Sequence, residues 1–246
     1  MRSAIGVLAL GLILSGCGDS GGEEANLAAA NTVAPLPQIP APNNGDWTQT
    51  VSLTAEGGHL MGNPDAPVKL IEYGSLTCPV CGAFSRDATP ALRDTYIRSG
   101  QVSLEFRHLL VHGAPDVVLS LLSNCLTPSA FFPTIEQVYA QQSEIVARLD
   151  QTEIQRIQAL PQDQQLPAVA RAMELDSFFA RRGLPESRFN QCVGDMPAAQ
   201  RLADSTGEAL NQQNIRGTPT FIINGEQQDI TSWNALEPRL RAAIGG

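Results

Sequence analysis

The hydrophobic and polar positions of this chain follow two periods, which predict strands near both ends of the folded region and helices between them. Residues 68–73 form a short apolar, β-prone run that predicts a buried central strand. Residues 101–109 alternate apolar and polar side chains and predict a second strand. Between these two strands, residues 78–98 predict a helix. Val51–Leu53 predicts a short edge strand, whereas the Gly- and Pro-rich residues 57–67 predict a loop.

Helical periodicity then continues for about 100 residues before β-structure returns. The predicted helices span residues 116–126, 133–149, 151–160, 166–182 and 197–214. Thr220–Ile223 predicts a strand, Asn224-Gly225 a tight hairpin turn, and residues 228–230 the returning strand. Ser232 can cap a last helix over residues 233–243. The order of elements is therefore β, α, β, a helical block, β, β, α.

The first residues have the features of an export signal. Arg2 is positively charged, and residues 4–14 are almost wholly apolar but too few to span a bilayer. This run ends in Leu14-Ser15-Gly16-Cys17, which resembles a bacterial lipobox. Residues 1–16 are therefore predicted to be a lipoprotein signal peptide, with Cys17 as the lipidated first residue of the mature protein. The alternative is an ordinary secretory signal that contains a cysteine.

Residues 17–50 are predicted to form a flexible tether. Residues 18–45 are rich in Gly, Ala, Asn and Pro, and this composition buries too little apolar surface to offset the entropy of ordering. A flexible segment of ~30 residues would hold a folded domain roughly 30 Å from a membrane. In some bacterial lipoproteins, an Asp directly after the lipidated Cys retains the protein at the inner membrane. Here Gly18 occupies that position and Asp19 comes one residue later, so the sequence does not decide between the inner and the outer membrane.

The composition argues against nucleic acid as a partner. The 246-residue chain has a formal net charge of -9 and no block of Lys and Arg, which phosphate binding requires. Hydrophobic residues make up 43% of the chain, enough to build the core of one or two domains.

Five cysteines are present, and four remain when Cys17 is set aside. An even number suits disulfide pairing in an oxidising compartment. Cys78 and Cys81 can pair if both lie at one helix start, which leaves Cys125 and Cys192 for each other; two buried free thiols are the alternative. A metal site is not expected, because zinc needs four ligands and no second Cys-x-x-Cys or suitably spaced His pair follows.

The motif Cys78-Pro79-Val80-Cys81 lies where a strand gives way to a helix. Pro79 is favourable in the first turn of a helix. The free N–H groups and the dipole of a helix N-terminus stabilise a thiolate at Cys78. Cys81 is one turn further on, close enough to attack a mixed disulfide formed on Cys78. This arrangement predicts a redox-active pair.

Glu72 is a carboxylate within the predicted apolar strand, six positions before Cys78. A buried acid behind the disulfide can accept the proton of Cys81 when that thiol must become nucleophilic. The alternative is a solvated edge residue beside Lys69.

Gly217-Thr218-Pro219-Thr220 precedes the strand Thr220–Ile223. A proline at the start of a strand often marks a special backbone position, and a cis peptide bond is the candidate here. If this segment faces the redox pair, Thr218 would offer its backbone N–H and C=O to an extended substrate. The alternative is an ordinary loop proline.

Together these motifs resemble those of the DsbA-type thiol:disulfide oxidoreductases. The similarity is greatest to the group whose cis-proline motif is Gly-Thr-Pro-Thr, and it extends from about Gly62 to the C-terminus. It implies an α/β structure with a thioredoxin-like fold and an inserted helical domain. The expected boundaries are residues 51–114 for the first part of the thioredoxin-like domain, 115–200 for the helical domain and 201–246 for the second part.

The resemblance also implies a role for each motif residue. Cys78 would be the exposed nucleophile and Cys81 the resolving partner, with Glu72 as the buried acid. Thr218 and Pro219 would form the substrate-binding cis-proline loop. The resemblance further implies that Cys125 and Cys192 form a second, non-catalytic disulfide.

Two positions depart from the strongly oxidising members of that family. Val80 stands where those members commonly carry a histidine that helps to hold the thiolate, so the disulfide is expected to be less oxidising. Threonine before the proline, here Thr218, is also common in isomerases. The direction of electron flow therefore stays open.

The expected function is oxidation of cysteines in exported proteins by a Cys78–Cys81 disulfide, without a cofactor. The expected partners are unfolded or partly folded exported proteins and a membrane protein that regenerates the disulfide. A monomer held by a lipid anchor on the periplasmic side of a bacterial membrane is expected. The alternatives are a disulfide reductase, an isomerase, or a non-catalytic binding lipoprotein. Four phenylalanines are expected to pack in the helical core rather than line a peptide groove: Phe131, Phe132, Phe178 and Phe179.

Overall fold

The computed structural model describes residues 35–245 of the chain. The predicted signal peptide, Cys17 and residues 17–34 of the predicted tether lie outside the described residues. Within residues 35–245, no helix is both long and apolar enough to cross a membrane.

One mixed sheet of six strands organises the fold. The strands are β1 (Val51–Leu53), β2 (His59–Gly62), β3 (Val68–Gly74), β4 (Val102–His108), β5 (Thr220–Ile223) and β6 (Glu226–Gln228). Their order in the sheet is β1-β2-β4-β3-β5-β6. β3 pairs in parallel with β4 and antiparallel with β5. The strand predicted over residues 68–73 is therefore central, as expected. The turn from β5 to β6 has positive φ at both Asn224 and Gly225, as the predicted tight hairpin requires.

The described helices are mostly short and mostly lie between β4 and β5. They are α1 (Pro79–Ala91), α2 (Ala114–Asn124), α3 (Pro128–Ala140), α4 (Gln142–Ala147), α5 (Gln151–Gln158), α6 (Gln162–Ala172), α7 (Leu175–Ala180), α8 (Glu186–Val193), α9 (Met196–Asn211) and α10 (Trp233–Gly245). A π-helical segment, Leu92–Ile97, continues α1 almost to the end predicted for that helix.

Two elements escaped the sequence prediction. β2 forms within the predicted loop 57–67, because its four residues become a strand through pairing with β1 on one side and β4 on the other. α8 is a helix of eight residues that no predicted helix covers. Both are short, and both depend on tertiary neighbours rather than on a long periodic pattern.

Residues 36–50, nearly half of the predicted tether, are instead packed on the fold. The backbone N–H of Ile39 donates to the carbonyl of Ser99 at 2.7 Å, and the indole Nε1 of Trp47 donates to the carbonyl of Ile39 at 2.7 Å. Trp47 itself is buried. An aromatic side chain supplies the apolar burial that the composition of residues 18–45 lacks, and this corrects the predicted tether over residues 36–50.

Cys125, at the end of α2, and Cys192, in α8, form a disulfide. It joins two helices of the inserted block that are 67 positions apart in sequence. α9 runs through the boundary predicted between residues 200 and 201, so that boundary falls inside a continuous helix.

The two faces of β3 belong to different apolar clusters because successive side chains of a strand point to opposite faces. Leu70 lies in the main core, whereas Tyr73 packs with Leu109, Ala209 and Ile215 on the other face. Glu72, two positions after Leu70, therefore lies on the same face as that core.

Candidate active site

Cys78 occupies the N-cap position of α1. The chain leaves β3 at Gly74, turns through Ser75–Thr77, and places Cys78 in an extended conformation (φ -77°, ψ 119°) before Pro79 begins the helix. The backbone N–H of Cys78 donates to the carbonyl of Ser75 at 3.2 Å, which closes the turn. The predicted start of the helix and the position of Pro79 are both confirmed.

The surroundings of Cys78 favour its thiolate. Its thiol lies beside that of Cys81, within reach of Thr218, and over the free backbone N–H groups of Val80 and Cys81. The hydrogen bond with Cys81 is the largest influence, and together these contacts lower the pKa of Cys78 to about 5 despite partial burial. At neutral pH the reduced pair therefore carries a thiolate on Cys78.

Cys78 is less accessible than the resemblance implies. The residue is only 6% exposed, and its Sγ lies 3.5 Å from the carbonyl oxygen of Thr218. The exposed members of the motif are Pro79 and Val80, and Val80 is 47% exposed. The N-cap geometry turns the sulfur towards the Thr218 loop while Val80 faces solvent.

Cys81 is the buried partner. It is fully buried in the first turns of α1, and both cysteines are free thiols in this structure. Its pKa is raised, first by the hydrogen bond to Cys78, then by burial, and also by the negative charge of Glu72. Cys81 thus needs a base close by before it can act as a nucleophile.

Glu72 lies in the core and not at a solvated edge. It is 5% exposed and lines a cavity of about 40 Å³ together with Phe84 of α1 and Tyr139 of α3. Among residues 35–245, its Oε1 has no hydrogen-bond partner. Lys69 is exposed and, three positions away on the same strand, belongs to the opposite face. Burial raises the pKa of Glu72 to about 8, so a neutral carboxyl group lies behind the redox pair at pH 7.

Thr218 lies against Cys78, and Pro219 follows it, although 140 positions separate Thr218 from Cys78 in the chain. The peptide bond between them is cis. The hydroxyl of Thr220 donates to the carbonyl of Gly217 at 2.7 Å and closes the loop at the start of β5. The site thus combines two thiols, a buried acid and a loop whose Thr218 backbone faces Cys78, a set that can support thiol–disulfide exchange.

Asp116 is a buried residue of the site that the sequence did not indicate. Its Oδ1 accepts hydrogen bonds from the hydroxyls of Ser75 and Thr77, each at 2.8 Å. Its Oδ2 accepts from the backbone N–H groups of Val111 and His112 at 3.0 and 2.9 Å. The carboxylate, 1% exposed, therefore ties the turn before Cys78 to the start of α2. An acidic residue in the first turn of a predicted helix was the available signal, but it is too common to be specific.

Gln142 supports the same turn from the opposite side. Its Nε2 donates to the carbonyls of Leu76 and Cys78 at 2.9 and 3.0 Å. A Cβ at Gly82 would lie 2.9 Å from the Oε1 of Gln142, so glycine permits this close approach. Among residues 35–245, no group of three or more His, Cys, Asp or Glu side chains is arranged to hold a metal ion.

The chain matches one protein family and several solved structures. A family model described as thioredoxin matches residues 54–241. The crystal structure of a protein-disulfide isomerase from Novosphingobium aromaticivorans superposes with a TM-score of 0.73 and 30% identity. The match covers 78% of this chain and all of that one. The predicted thioredoxin-like fold is confirmed.

Two curated relatives are longer than the region they share with this chain. Disulfide bond formation protein D of Bacillus subtilis is 28% identical over 92 residues, which cover 36% of this chain and 41% of that protein. The Na(+)/H(+) antiporter NhaA 1 of Salinispora arenicola is 26% identical over 201 residues, 80% of this chain but 26% of the antiporter. The chain therefore spans well under half the length of either relative.

Proposed function

The chain belongs to the thioredoxin family, among proteins of the DsbA type, and we propose that it oxidises cysteine pairs in exported proteins through a Cys78–Cys81 disulfide. The observation that carries this proposal is the position of the Cys78 sulfur. Cys78 is the N-cap residue of α1, and its sulfur lies beside Cys81 and over the backbone N–H groups of Val80 and Cys81. A site that stabilises the thiolate of its reduced form makes the disulfide a better oxidant.

In the proposed reaction, a substrate thiolate attacks the Cys78 sulfur of the disulfide. The bond between Cys78 and Cys81 breaks, and Cys81 leaves as a thiolate that takes the proton of Glu72. A second substrate thiolate then attacks the substrate sulfur of the mixed disulfide and releases Cys78 as a thiolate. The substrate loses two electrons and gains a disulfide, while the enzyme gains both electrons as two reduced cysteines.

The same residues support the reverse step. When the ionised Glu72 takes the proton of Cys81, the Cys81 thiolate can attack the mixed disulfide on Cys78 and release the substrate reduced. Thr218 and Pro219 are proposed to bind the substrate backbone next to the reacting sulfur, since the Thr218 carbonyl already lies at hydrogen-bonding range of Cys78.

An exported, oxidising location accords with the disulfide between Cys125 and Cys192, because such bonds persist outside the cytosol. The lipobox-like sequence ending in Cys17 supports a lipid anchor on the periplasmic side of a membrane. A membrane redox protein is proposed to reoxidise the Cys78–Cys81 pair.

The test uses the mature protein in oxidised form with a reduced, unfolded disulfide protein as substrate. Stoichiometric formation of substrate disulfides, lost in Cys78→Ser and retained in Cys125→Ala/Cys192→Ala, is the expected result. Equilibration with glutathione then gives the redox potential. A value near that of DsbA, about −120 mV, supports an oxidase, and a value near that of thioredoxin, about −270 mV, identifies a reductase.

An isomerase is the second candidate, because the Novosphingobium protein with 30% identity is named a protein-disulfide isomerase. Recovery of activity from a scrambled disulfide protein separates the two functions. An isomerase restores native pairing with catalytic amounts of reduced enzyme, whereas an oxidase only forms new disulfides.

A further inference from the structure

His112 lies next to the redox motif and has no role in the exchange reaction proposed above. It belongs to the loop between β4 and α2, and its side chain is 49% exposed. Its Nδ1 is 2.9 Å from the hydroxyl oxygen of Thr77, the residue immediately before Cys78. Thr77, Pro79 and His112 line one recess at the start of α1. An accessible imidazole thus lies in a recess that begins beside the reactive cysteine.

The hydrogen bonds around Asp116 assign the position of the hydrogen on the His112 ring. The hydroxyl of Thr77 donates its single hydrogen to Oδ1 of Asp116 at 2.8 Å, and the hydroxyl of Ser75 does the same. Neither hydroxyl has a hydrogen left for His112, so each can only accept one from the ring. Nδ1 is 2.9 Å from the hydroxyl oxygen of Thr77 and 3.4 Å from that of Ser75. The neutral ring therefore carries its hydrogen on Nδ1 and a free lone pair on Nε2.

Nε2 is the atom of the ring that can accept a proton. Within the described residues 35–245, the hydrogen bonds of the ring all involve Nδ1. If Nε2 takes up a proton, the positive charge lies near a buried carboxylate, because Oδ2 of Asp116 is 3.7 Å from Nδ1. Asp116 is 1% exposed, so solvent screens this attraction little. An imidazole that is held through one nitrogen and accessible at the other has the arrangement of a general base.

We propose that His112 is a further catalytic residue, which takes the proton of the substrate thiol before that thiol attacks the Cys78–Cys81 disulfide. This inference rests on the proposed function and adds the step that generates the attacking thiolate. Only the thiolate is a nucleophile in disulfide exchange, and an ordinary cysteine with a pKa of about 8.5 is only about 3% ionised at pH 7. A base beside Cys78 can therefore accelerate the attack by up to about 30-fold.

The proposed step conserves atoms and charge. The S–H bond of the substrate breaks, and its proton moves to Nε2 of His112. The substrate thiolate forms a bond with the Cys78 sulfur while the bond between Cys78 and Cys81 breaks. Cys81 takes up the proton of Glu72, which becomes a carboxylate, and the imidazolium later releases its proton to water. The substrate sulfur is oxidised to a mixed disulfide, and the sulfur of Cys81 is reduced to a thiol.

The acids of the site are not placed for this step. Glu72 and Asp116 are 5% and 1% exposed, so neither meets the thiol of an approaching substrate. The redox motif supplies no base either, since Pro79 and Val80 are the residues between its cysteines. His112 brings an accessible base to the motif from another loop.

The test compares two peptides of the same sequence that reduce the oxidised protein. One contains a pair of reduced cysteines, and the other contains a pair of reduced selenocysteines, whose selenols are already ionised at neutral pH and need no base. The reduction of the Cys78–Cys81 disulfide at pH 7 is followed by acid quench, alkylation and mass spectrometry. The dependence on peptide concentration gives the second-order rate constant for the first attack.

His112→Asn removes Nε2 but can keep an N–H near the position of Nδ1, so the hydrogen bond to Thr77 can be retained. Its rate constant is expected to fall about fivefold with the cysteine peptide, within the limit set by thiol ionisation, and to stay unchanged with the selenocysteine peptide. His112→Gln should show the same difference between the peptides. Val111→Ala is the matched control, because Val111 is 39% exposed in the same loop and has no titratable group. It should leave both rate constants unchanged.

The same rate constant for wild type and His112→Asn with the cysteine peptide would overturn the inference. Equal losses with both peptides would also overturn it, because they would show that His112 acts on the turn before Cys78 and not on the substrate proton. The thiolate absorbance of Cys78 should have the same midpoint in wild type and His112→Asn, which checks that the turn is intact. If the wild type reacts with neither peptide, the proposed function itself fails, which is a distinct result.

Discussion

The Sγ of Cys78 lies 3.5 Å from the carbonyl oxygen of Thr218, across 140 positions of sequence. β3 and β5 are adjacent antiparallel strands, with Glu72 opposite Phe221, so the turn after β3 and the loop before β5 meet at the same end of the two strands. The sheet therefore brings Cys78, from the first part of the fold, next to the backbone of Thr218, from the second part. The predictions below depend on this meeting point.

The thiolate of Cys78 should titrate near pH 5. The absorbance of the reduced protein at 240 nm is expected to rise with increasing pH, with a midpoint near pH 5. The ordinary pKa of a cysteine thiol is 9.0. Because the hydrogen bond with Cys81 is the largest cause, Cys81→Ala should shift the midpoint upward. A midpoint above about 8 in the wild type would contradict the description of the site.

The same depressed pKa makes the reduced protein's stability depend on pH. The contribution of Cys78 is fully present above its unfolded pKa near 9.0 and is lost as the pH falls through about 5. The stability of the reduced form relative to the disulfide form should therefore decrease from pH 9 to pH 5. Urea unfolding of the reduced and the disulfide form between pH 5 and pH 9 measures this difference in unfolding free energy. A difference that does not change with pH would exclude a contribution from the ionisation of Cys78.

Glu72→Gln should stabilise the protein at neutral pH. A carboxyl whose pKa is raised from 4.5 to about 8 costs stability progressively as the pH rises between those values, because the unfolded state loses its proton first. Removing it is expected to add about 3 kcal/mol at pH 7 and almost nothing at pH 4. Urea unfolding of the wild type and the variant at pH 7 and pH 4 measures this change in unfolding free energy. The same change at both pH values would mean that the substitution acts through side-chain packing and not through the charge of Glu72.

Glu72→Gln should also slow the reductive release of substrate from the mixed disulfide, since the proton of Cys81 loses its acceptor. A loss of about 10²-fold is expected, the lower end of the range for general base catalysis. The rate of release from a mixed disulfide trapped on Cys78 gives the measurement. Rapid release in the variant would remove Glu72 from the mechanism.

Asp116→Asn should loosen the turn before Cys78. An amide can keep its oxygen on the N–H groups of Val111 and His112, but its NH₂ group would then face Ser75 and Thr77, where the backbone N–H of Thr77 loses its acceptor. The expected cost is about 2 kcal/mol of unfolding free energy, together with a raised pKa of Cys78. Asp163→Asn is the matched control, as Asp163 is an exposed acid in the first turn of α6. Similar losses in both variants would show no special role for Asp116.

Cys125→Ala/Cys192→Ala should lower stability without changing the redox pair. Cross-links over loops of this length contribute about 2–4 kcal/mol by restricting the unfolded chain. The redox potential of Cys78 and Cys81 is expected to stay the same within error. A thiol count on the unfolded, fully oxidised wild type should give no free thiol apart from Cys17, and more than two would refute the pairing.

The local sequence pattern was sufficient to predict the strands and the helix that position the reactive residues. The apolar run of β3, the Cys78-Pro79 helix start and the Asn224-Gly225 hairpin are each determined by a few neighbouring residues, and all were predicted. The apolar run of β3 made Glu72 conspicuous as a carboxylate in an apolar strand, but it did not show whether that side chain was buried. β2 and α8 are too short for their own periodicity, and Trp47 ordered a segment whose average composition predicted a tether.

The sequence by itself determined the redox motif, the partner motif at Thr218-Pro219 by similarity, and the α/β class. Only the tertiary structure decided what surrounds these residues. Asp116 and Gln142 hold the turn before Cys78 from helices that are distant in the chain. Burial, hydrogen-bond partners and accessible apolar surface arise from contacts between segments far apart in the chain, and no local pattern encodes them.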